Sequence, residues 1–183
     1  MNCTILTEGV TDAAILRCLI APPIVTDPVT IVSAGGRSSA MSLARSYLIT
    51  RSDSVALVVD ADTTDRGRIN ELKSDLDALL HMVAPSTRSR VFMAVPSIEM
   101  IFFHDPAVAV EFWGSLFDAE QRVRSEFQPK VVLENLLAKQ GKRLTASEID
   151  SLVRDFGLDS LRRVPLISDL IAFVRSPAVA AVA

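Results

Sequence analysis

Four short runs of β-branched and aliphatic residues punctuate the first hundred positions: Cys3 to Thr7, Val29 to Ser33, Val55 to Val59 and Val91 to Val95. Between them lie stretches with helical spacing: Thr11 to Ala21, with Ile15, Leu16, Leu19 and Ile20 apolar, then Ser39 to Thr50, then a charged stretch from Arg68 to Met82. Strands separated by helices cannot pair through tight hairpins, so alternation of this kind predicts a parallel sheet with crossover helices. Right-handed crossovers put helices on both faces of such a sheet. Its strands, buried on both sides, read as continuous apolar runs rather than as alternating ones. Val55 to Val59 is the strongest of them, five apolar residues ending abruptly at Asp60. The first helix has Thr11 as its expected N-cap, with Asp12 in the first turn where the helix dipole favours an anion.

After Pro96 the strand signal disappears. Residues 98–117, 129–140, 146–156 and 166–175 have helical spacing, broken by Pro106, Gly141, Gly157 and Pro165. Thr145 followed by Glu148 reads as a capping box. The expected organisation is an α/β core over residues 1–103 with a helical extension over 104–183 packed on it. The last residues, Pro177 to Ala183, are a small apolar tail expected to fray. Hydrophobic residues make up 49% of the 183-residue chain, which excludes a disordered protein. No apolar run approaches the roughly 20 residues of a membrane span, and Met1-Asn2-Cys3-Thr4 lacks the basic opening of a signal peptide. Cys3 and Cys18 are too few for a zinc site and sit in core-like contexts, as in a reduced cytoplasmic protein. The net charge of −3 is not that of a protein holding nucleic acid by bulk charge; local arginines, a metal or a partner must supply any such attraction.

In a parallel sheet every strand's C-terminal end lies on one edge, where ligands and catalytic groups collect. Glu8 directly follows the first strand and Asp12 opens the first helix. Asp60 and Asp62 follow the third strand, and Glu99 comes a few residues after the fourth. Five acids from distant parts of the chain are thus expected on one edge. Crowded carboxylates repel one another unless a cation is present. An all-oxygen set without a His/Cys cluster points to one or two Mg²⁺ or Mn²⁺ ions and argues against zinc. Two such ions could activate water and stabilise a leaving oxygen in phosphoryl transfer. Gly36, Arg37 and Ser38 lead from a turn into a helix N-terminus, a natural phosphate seat, although Gly35-Gly36-Arg37-Ser38 lacks the Gly-Lys-Ser/Thr of a Walker A loop.

These residues resemble a Toprim domain, the catalytic module of topoisomerases, primases and several nucleases, whose strands end in Glu-Gly and later in Asp-x-Asp. Here those are Ile5-Leu6-Thr7-Glu8-Gly9 and Val58-Val59-Asp60-Ala61-Asp62. Within that superfamily the chain is most similar to the overcoming-lysogenization-defect (OLD) nuclease type. Glu8-Gly9-Val10-Thr11-Asp12, the Ala34-Gly35-Gly36-Arg37 turn and Pro96-Ser97-Ile98-Glu99 match its motifs, and Pro165 to Phe173 is similar to its final helix. The resemblance covers residues 2–103 well and the remainder loosely. It implies a Toprim/Rossmann-like four-stranded parallel sheet flanked by helices, with a C-terminal helical extension. It also implies a Mg²⁺- or Mn²⁺-dependent nuclease cutting DNA, or RNA, within a defence or repair system such as one directed against phage. In that picture Glu8 is a metal ligand or general base, Asp60 and Asp62 are metal ligands, and Asp12 and Glu99 hold a second ion. Lys130 would be the lysine beside the scissile phosphate. OLD nucleases carry an ATPase domain ahead of the Toprim domain, and this chain has no P-loop. It is therefore expected to act alone or beside a separate ATPase subunit.

Other readings fit parts of the pattern. Asp60-Ala61-Asp62-Thr63-Thr64 after a strand also resembles the first motif of haloacid-dehalogenase phosphatases, with Asp60 as nucleophile and Asp62 as acid/base; that leaves Glu8 unexplained and lacks a later strand ending in paired aspartates. A Toprim-like subunit that only binds or regulates, and a small ribonuclease that matures structured RNA, complete the set. His81 and His104 read as structural, and the Phe112, Trp113, Leu116, Phe117 cluster reads as core or a docking face.

Overall fold

The computed structural model describes residues 2–21, 28–50 and 54–176; the expected fraying of Pro177 to Ala183 lies outside them. Four strands form one all-parallel sheet: β1 (Cys3–Thr7), β2 (Val29–Ser33), β3 (Ser54–Asp60) and β4 (Ser89–Ala94), in the order β2-β1-β3-β4. They are linked by α1 (Val10–Leu19), α2 (Arg37–Thr50) and α3 (Arg66–Val83). This is the α/β architecture that the alternating periods predict.

The sheet's two faces carry two cores, sorted by the period of two along each strand. Leu6, Val55, Leu57, Val59 and Val91 pack under α2 and α3, against Ala40, Ala44, Leu48, Leu76 and Leu80. The i, i+4 spacing of these alanines and leucines makes one apolar stripe on each helix. Ile5, Ala56, Val58, Phe92 and Ala94 point to the other face, where α1 packs with Ile15, Leu16 and Leu19. The C-terminal helices join that same core: Leu133, Leu136, Ile149, Val153, Leu170 and Phe173 are continuous with α1 and the sheet. The sheet edge at β4 is covered. Val91 N–H donates to Asp77 Oδ1 of α3 at 2.8 Å, and Phe92 meets Phe173 edge-to-face with ring centroids 5.6 Å apart.

The break expected at Pro106 within 98–117 is present, but the pieces around it are shorter than the spacing implies: a 3₁₀ turn (Ile98–Phe102), then α4 (Pro106–Trp113), then a second 3₁₀ turn (Gly114–Leu116). Asp105 explains the break, because its carboxylate accepts from Ala107 and Val108 N–H and starts a new helix with Pro106 at its first position. Next come α5 (Ala119–Ser125), capped by Asp118 on Gln121 N–H, and α6 (Pro129–Lys139). The chain then forms α7 (Ala146–Phe156), α8 (Leu158–Arg162) and α9 (Pro165–Arg175). Both α5 and α8 are too short to show periodicity. Thr145 does cap α7, accepting from Glu148 N–H at 3.3 Å. Thr11 does not cap α1: the N-cap is Gly9, and Thr11 lies inside the helix.

Candidate active site

The strand order sets the place. From β1 the chain crosses by α1 to β2 on one side of the sheet, then by α2 to β3 on the other. The covering helix changes face between these crossovers, so β1 and β3 diverge from a topological switch point, where open α/β sheets bind ligands at the strands' carboxyl ends. Thr7 pairs with Val58, which brings Glu8 and Asp60 together just beyond the last paired residues. Asp60 N–H donates to Glu8 Oε1 at 3.2 Å.

The turns around this point are built by backbone. Gly9 N–H donates to Asp12 Oδ2 at 2.8 Å, so Asp12 folds back over the start of α1 as a capping residue. A Cβ at Gly9 would lie 3.3 Å from both Asp12 carboxylate oxygens, so any larger residue there would press on the capping carboxylate. Gly35 and Gly36, with φ of +80° and +128°, both point their N–H groups at the Glu8 carbonyl, each at 2.9 Å. Left-handed backbone of this kind favours glycine. The Gly36 N–H is therefore occupied by the protein itself. On the far side, Asp60 Oδ1 accepts from Ile98 N–H at 3.0 Å, and Ser97 Oγ donates to Glu99 Oε2 at 2.6 Å. Asp62 adopts φ +53°, a conformation aspartate tolerates better than most side chains, and its N–H reaches the Pro96 carbonyl at 2.9 Å.

Four acids crowd together here. Burial pushes the Asp60 carboxyl up to about 8, helped by the charges of Asp12, Glu99 and Glu8 and opposed by the Ile98 N–H. Burial also raises Glu99, while the Ser97 hydroxyl, the backbone and the Lys130 ammonium favour its charged form and Asp12 disfavours it. Asp12 and Glu99 are 7% and 1% exposed, far below what solvated acids show. Lys130, exposed at the start of α6, thus stands near Glu99 despite the separation in sequence. Asp62 is the outlying member, with a side chain 74% exposed.

Arg37, the first residue of α2, turns its guanidinium into this cluster. Nε donates to Glu8 Oε1 at 3.1 Å, and Nη2 donates to the Asp60 carbonyl at 2.7 Å and to Asp62 Oδ2 at 2.6 Å. Burial works against its charge, but Glu8 and Asp62 outweigh it and hold the group firmly protonated. Ser38, next in the helix, is exposed and faces a shallow groove with Ala34, Ser39, Ser42 and Ser46. Two participants escape sequence reasoning. Ser97 is an unremarkable serine until the fold sets it against Glu99, and the Ile98 contact is a backbone group with no residue-type signal.

The donor set is oxygen throughout, and Asp60 and Glu99 are buried acids whose ionised forms need a positive partner. Those properties suit a hard divalent cation. As the side chains stand, no three ligating groups among the described residues surround one point. Asp12 is taken by Gly9, while Glu8 and Asp62 are taken by Arg37. No helix among the described residues is long and apolar enough to cross a membrane. Neither a scan of protein-family models nor a search of curated proteins finds a match to the chain, so the functional reading rests on this geometry.

Proposed function

We propose that the chain is a Mg²⁺- or Mn²⁺-dependent phosphodiesterase that cuts nucleic acid, of the kind Toprim nucleases of the OLD type represent. The observation that carries this reading is the gathering of Glu8, Asp12, Asp60 and Glu99 at the switch point, with Asp60 lifted to about 8 by burial and by its acidic neighbours. Buried like charges persist at a cost, and perturbed acids in such a place are the usual mark of a functional site. Glu8, Asp60 and Asp62 would hold one ion, and Asp12 with Glu99 a second. Bound there, divalent metal supplies Lewis acidity and a water of lowered pKa. The protein's own part is to aim the acids: Ile98 N–H and Ser97 Oγ fix Asp60 and Glu99, and the Gly35-Gly36 turn fixes the Glu8 backbone. Lys130 supplies a positive charge beside Glu99, where a scissile phosphate would lie. In this reading the setting is intracellular, the substrate is a nucleic acid, and the chain acts alone or beside a separate ATPase subunit of a defence or repair system.

The test is nicking of supercoiled plasmid, and cleavage of single-stranded RNA, by purified protein in Mn²⁺ or Mg²⁺, beside Glu8→Gln and Asp60→Ala. Cleavage that disappears in both variants and in chelator supports the reading. Metal binding without turnover on either substrate, alone or with an added ATPase, favours a regulatory subunit. Equal cleavage by all three proteins means a contaminant and removes the support. A phosphatase using Asp60 as nucleophile would instead hydrolyse small phosphomonoesters and leave plasmid intact.

A further inference from the structure

Arg37 occupies a place that the nuclease reading does not explain. A guanidinium meant only to receive a phosphate would point outward from the start of α2. This one reaches back into the acids and bonds Glu8, the Asp60 carbonyl and Asp62 together. The three bonds use Nε and Nη2; Nη1 takes no part in them. The side chain keeps 32% exposure, so it is reachable from solvent. Asp62, one of its two carboxylate partners, is itself mostly exposed, so that contact is the easier one to exchange.

Resting on the metallonuclease reading, we propose that Arg37 is the built-in counter-cation of this edge and couples divalent-ion loading to the arrival of a phosphodiester. With no substrate, its guanidinium ties up two of the carboxylates that an ion would need. A phosphate oxygen pair is as good a bidentate partner for a guanidinium as a carboxylate is. When Arg37 passes to the substrate phosphate, Glu8 and Asp62 are freed, and the acids regain the repulsion that a cation relieves. Tight ion binding and substrate binding thus promote each other, and by linkage the promotion is reciprocal. The exchange involves no bond making beyond hydrogen bonds, and the net positive charge at the edge rises only once the substrate's negative charge is there.

The test measures Mn²⁺ binding to the full chain by the loss of the free-ion electron paramagnetic resonance signal, independent of cleavage. The proteins are wild type, Arg37→Gln, Arg37→Lys, Lys139→Gln and Asp60→Asn, each confirmed folded by circular dichroism. Without oligonucleotide, Arg37→Gln is expected to bind Mn²⁺ about tenfold more tightly than wild type. Arg37→Lys should fall between them, because one ammonium cannot bridge the same three acceptors. Lys139→Gln, exposed in the last turn of α6, controls for the general loss of one positive charge and should change affinity no more than about twofold. Adding a slowly hydrolysed phosphorothioate oligodeoxynucleotide should tighten Mn²⁺ binding to wild type by a similar factor but not to Arg37→Gln. An uncharged methylphosphonate oligonucleotide should affect neither. The proposal is overturned if Arg37→Gln binds like wild type, if Lys139→Gln tightens binding as much, or if the charged oligonucleotide helps both proteins equally. In each of those cases, Mn²⁺ binding that Asp60→Asn abolishes leaves the metallonuclease reading standing. If wild type itself binds no Mn²⁺, the metal reading fails and the Arg37 proposal with it.

Discussion

Asp60→Asn should make the protein more stable, against the usual effect of changing a partly buried residue. Asp60 sits at about 8 in the folded chain against 3.8 in an unfolded one. A carboxyl raised in this way keeps its proton in the native state across a window in which the unfolded chain has already released it. Between those two values the native state binds more protons, so stability falls as pH climbs from about 4 to about 8. If the whole shift applies, the cost at pH 7 is about 4 kcal/mol. Asp60 shares its strain with Asp12, Glu99 and Glu8, so roughly 2–3 kcal/mol is the working figure. The asparagine has the same shape, retains an oxygen for the Ile98 N–H and turns an amide toward neighbouring carboxylates. For a chain of this length the gain corresponds to roughly 5–10 °C in Tm. The assay is thermal unfolding in chelator at pH 4.5, 5.5 and 7, with Mn²⁺ added in a second series. The gap should be smallest at pH 4.5, about 1 kcal/mol, and grow with pH. Mn²⁺ should raise wild type toward the variant, because an ion that binds the ionised cluster stabilises only the native state. A variant that melts at or below wild type at pH 7, or a gap that does not change with pH, would refute the account of a strained anion.

Three further changes test the frame around the site. Asp77→Ala leaves the Val91 N–H of the edge strand without its acceptor and should cost about 1–2 kcal/mol by urea titration, with Lys73→Ala costing less. Leu136→Ala, in the fully buried core that joins the C-terminal helices to α1, should cost about 2–5 kcal/mol, lowering the urea midpoint with the slope unchanged. Gly36→Ala forces a Cβ onto backbone at φ +128° and should cost about 1–3 kcal/mol in thermal stability. If the turn positions Glu8, cleavage should drop further than that loss of stability explains.

What could be read in the chain before its structure follows from where each interaction is encoded. Strand identity lies in local runs such as Val55 to Val59, and a parallel sheet has only one edge for its carboxyl ends. The acids after β1, β3 and β4 were therefore legible as neighbours without any contact being known. Side-chain direction was not legible, because it depends on groups far apart in sequence. Arg37 looks like a phosphate seat in its own turn, and only the approach of β1 to β3 supplies the Glu8 and Asp62 carboxylates that turn it inward. Asp12 is different: its bond to Gly9 N–H spans only three residues, so the fold-dependent part is its nearness to Asp60, not the capping contact. The break at Asp105 was legible through Pro106, whereas the division at Asp118 was hidden because α5 is shorter than a pattern needs, leaving one capping carboxylate as the whole signal.

Lys130 shows how the helical region bears on the site. Nothing in Gln128-Pro129-Lys130 marks it apart from the other exposed lysines of the chain. Its nearness to Glu99 comes from α6, whose buried face of Val132, Leu133, Leu136 and Leu137 packs into the same core as Ile98, Ile101 and Phe102. The 3₁₀ turn that carries Glu99 is thus held on one side by the sheet and on the other by α6. A cation at the first turn of α6 is otherwise poorly placed, since the helix dipole there favours anions. Its position is better explained by the acid across from it than by its own helix. The C-terminal region, which a reading by motifs alone would set apart from the α/β core, therefore completes the electrostatics of the edge: Arg37 from α2 serves Glu8 and Asp62, and Lys130 from α6 favours the charge of Glu99.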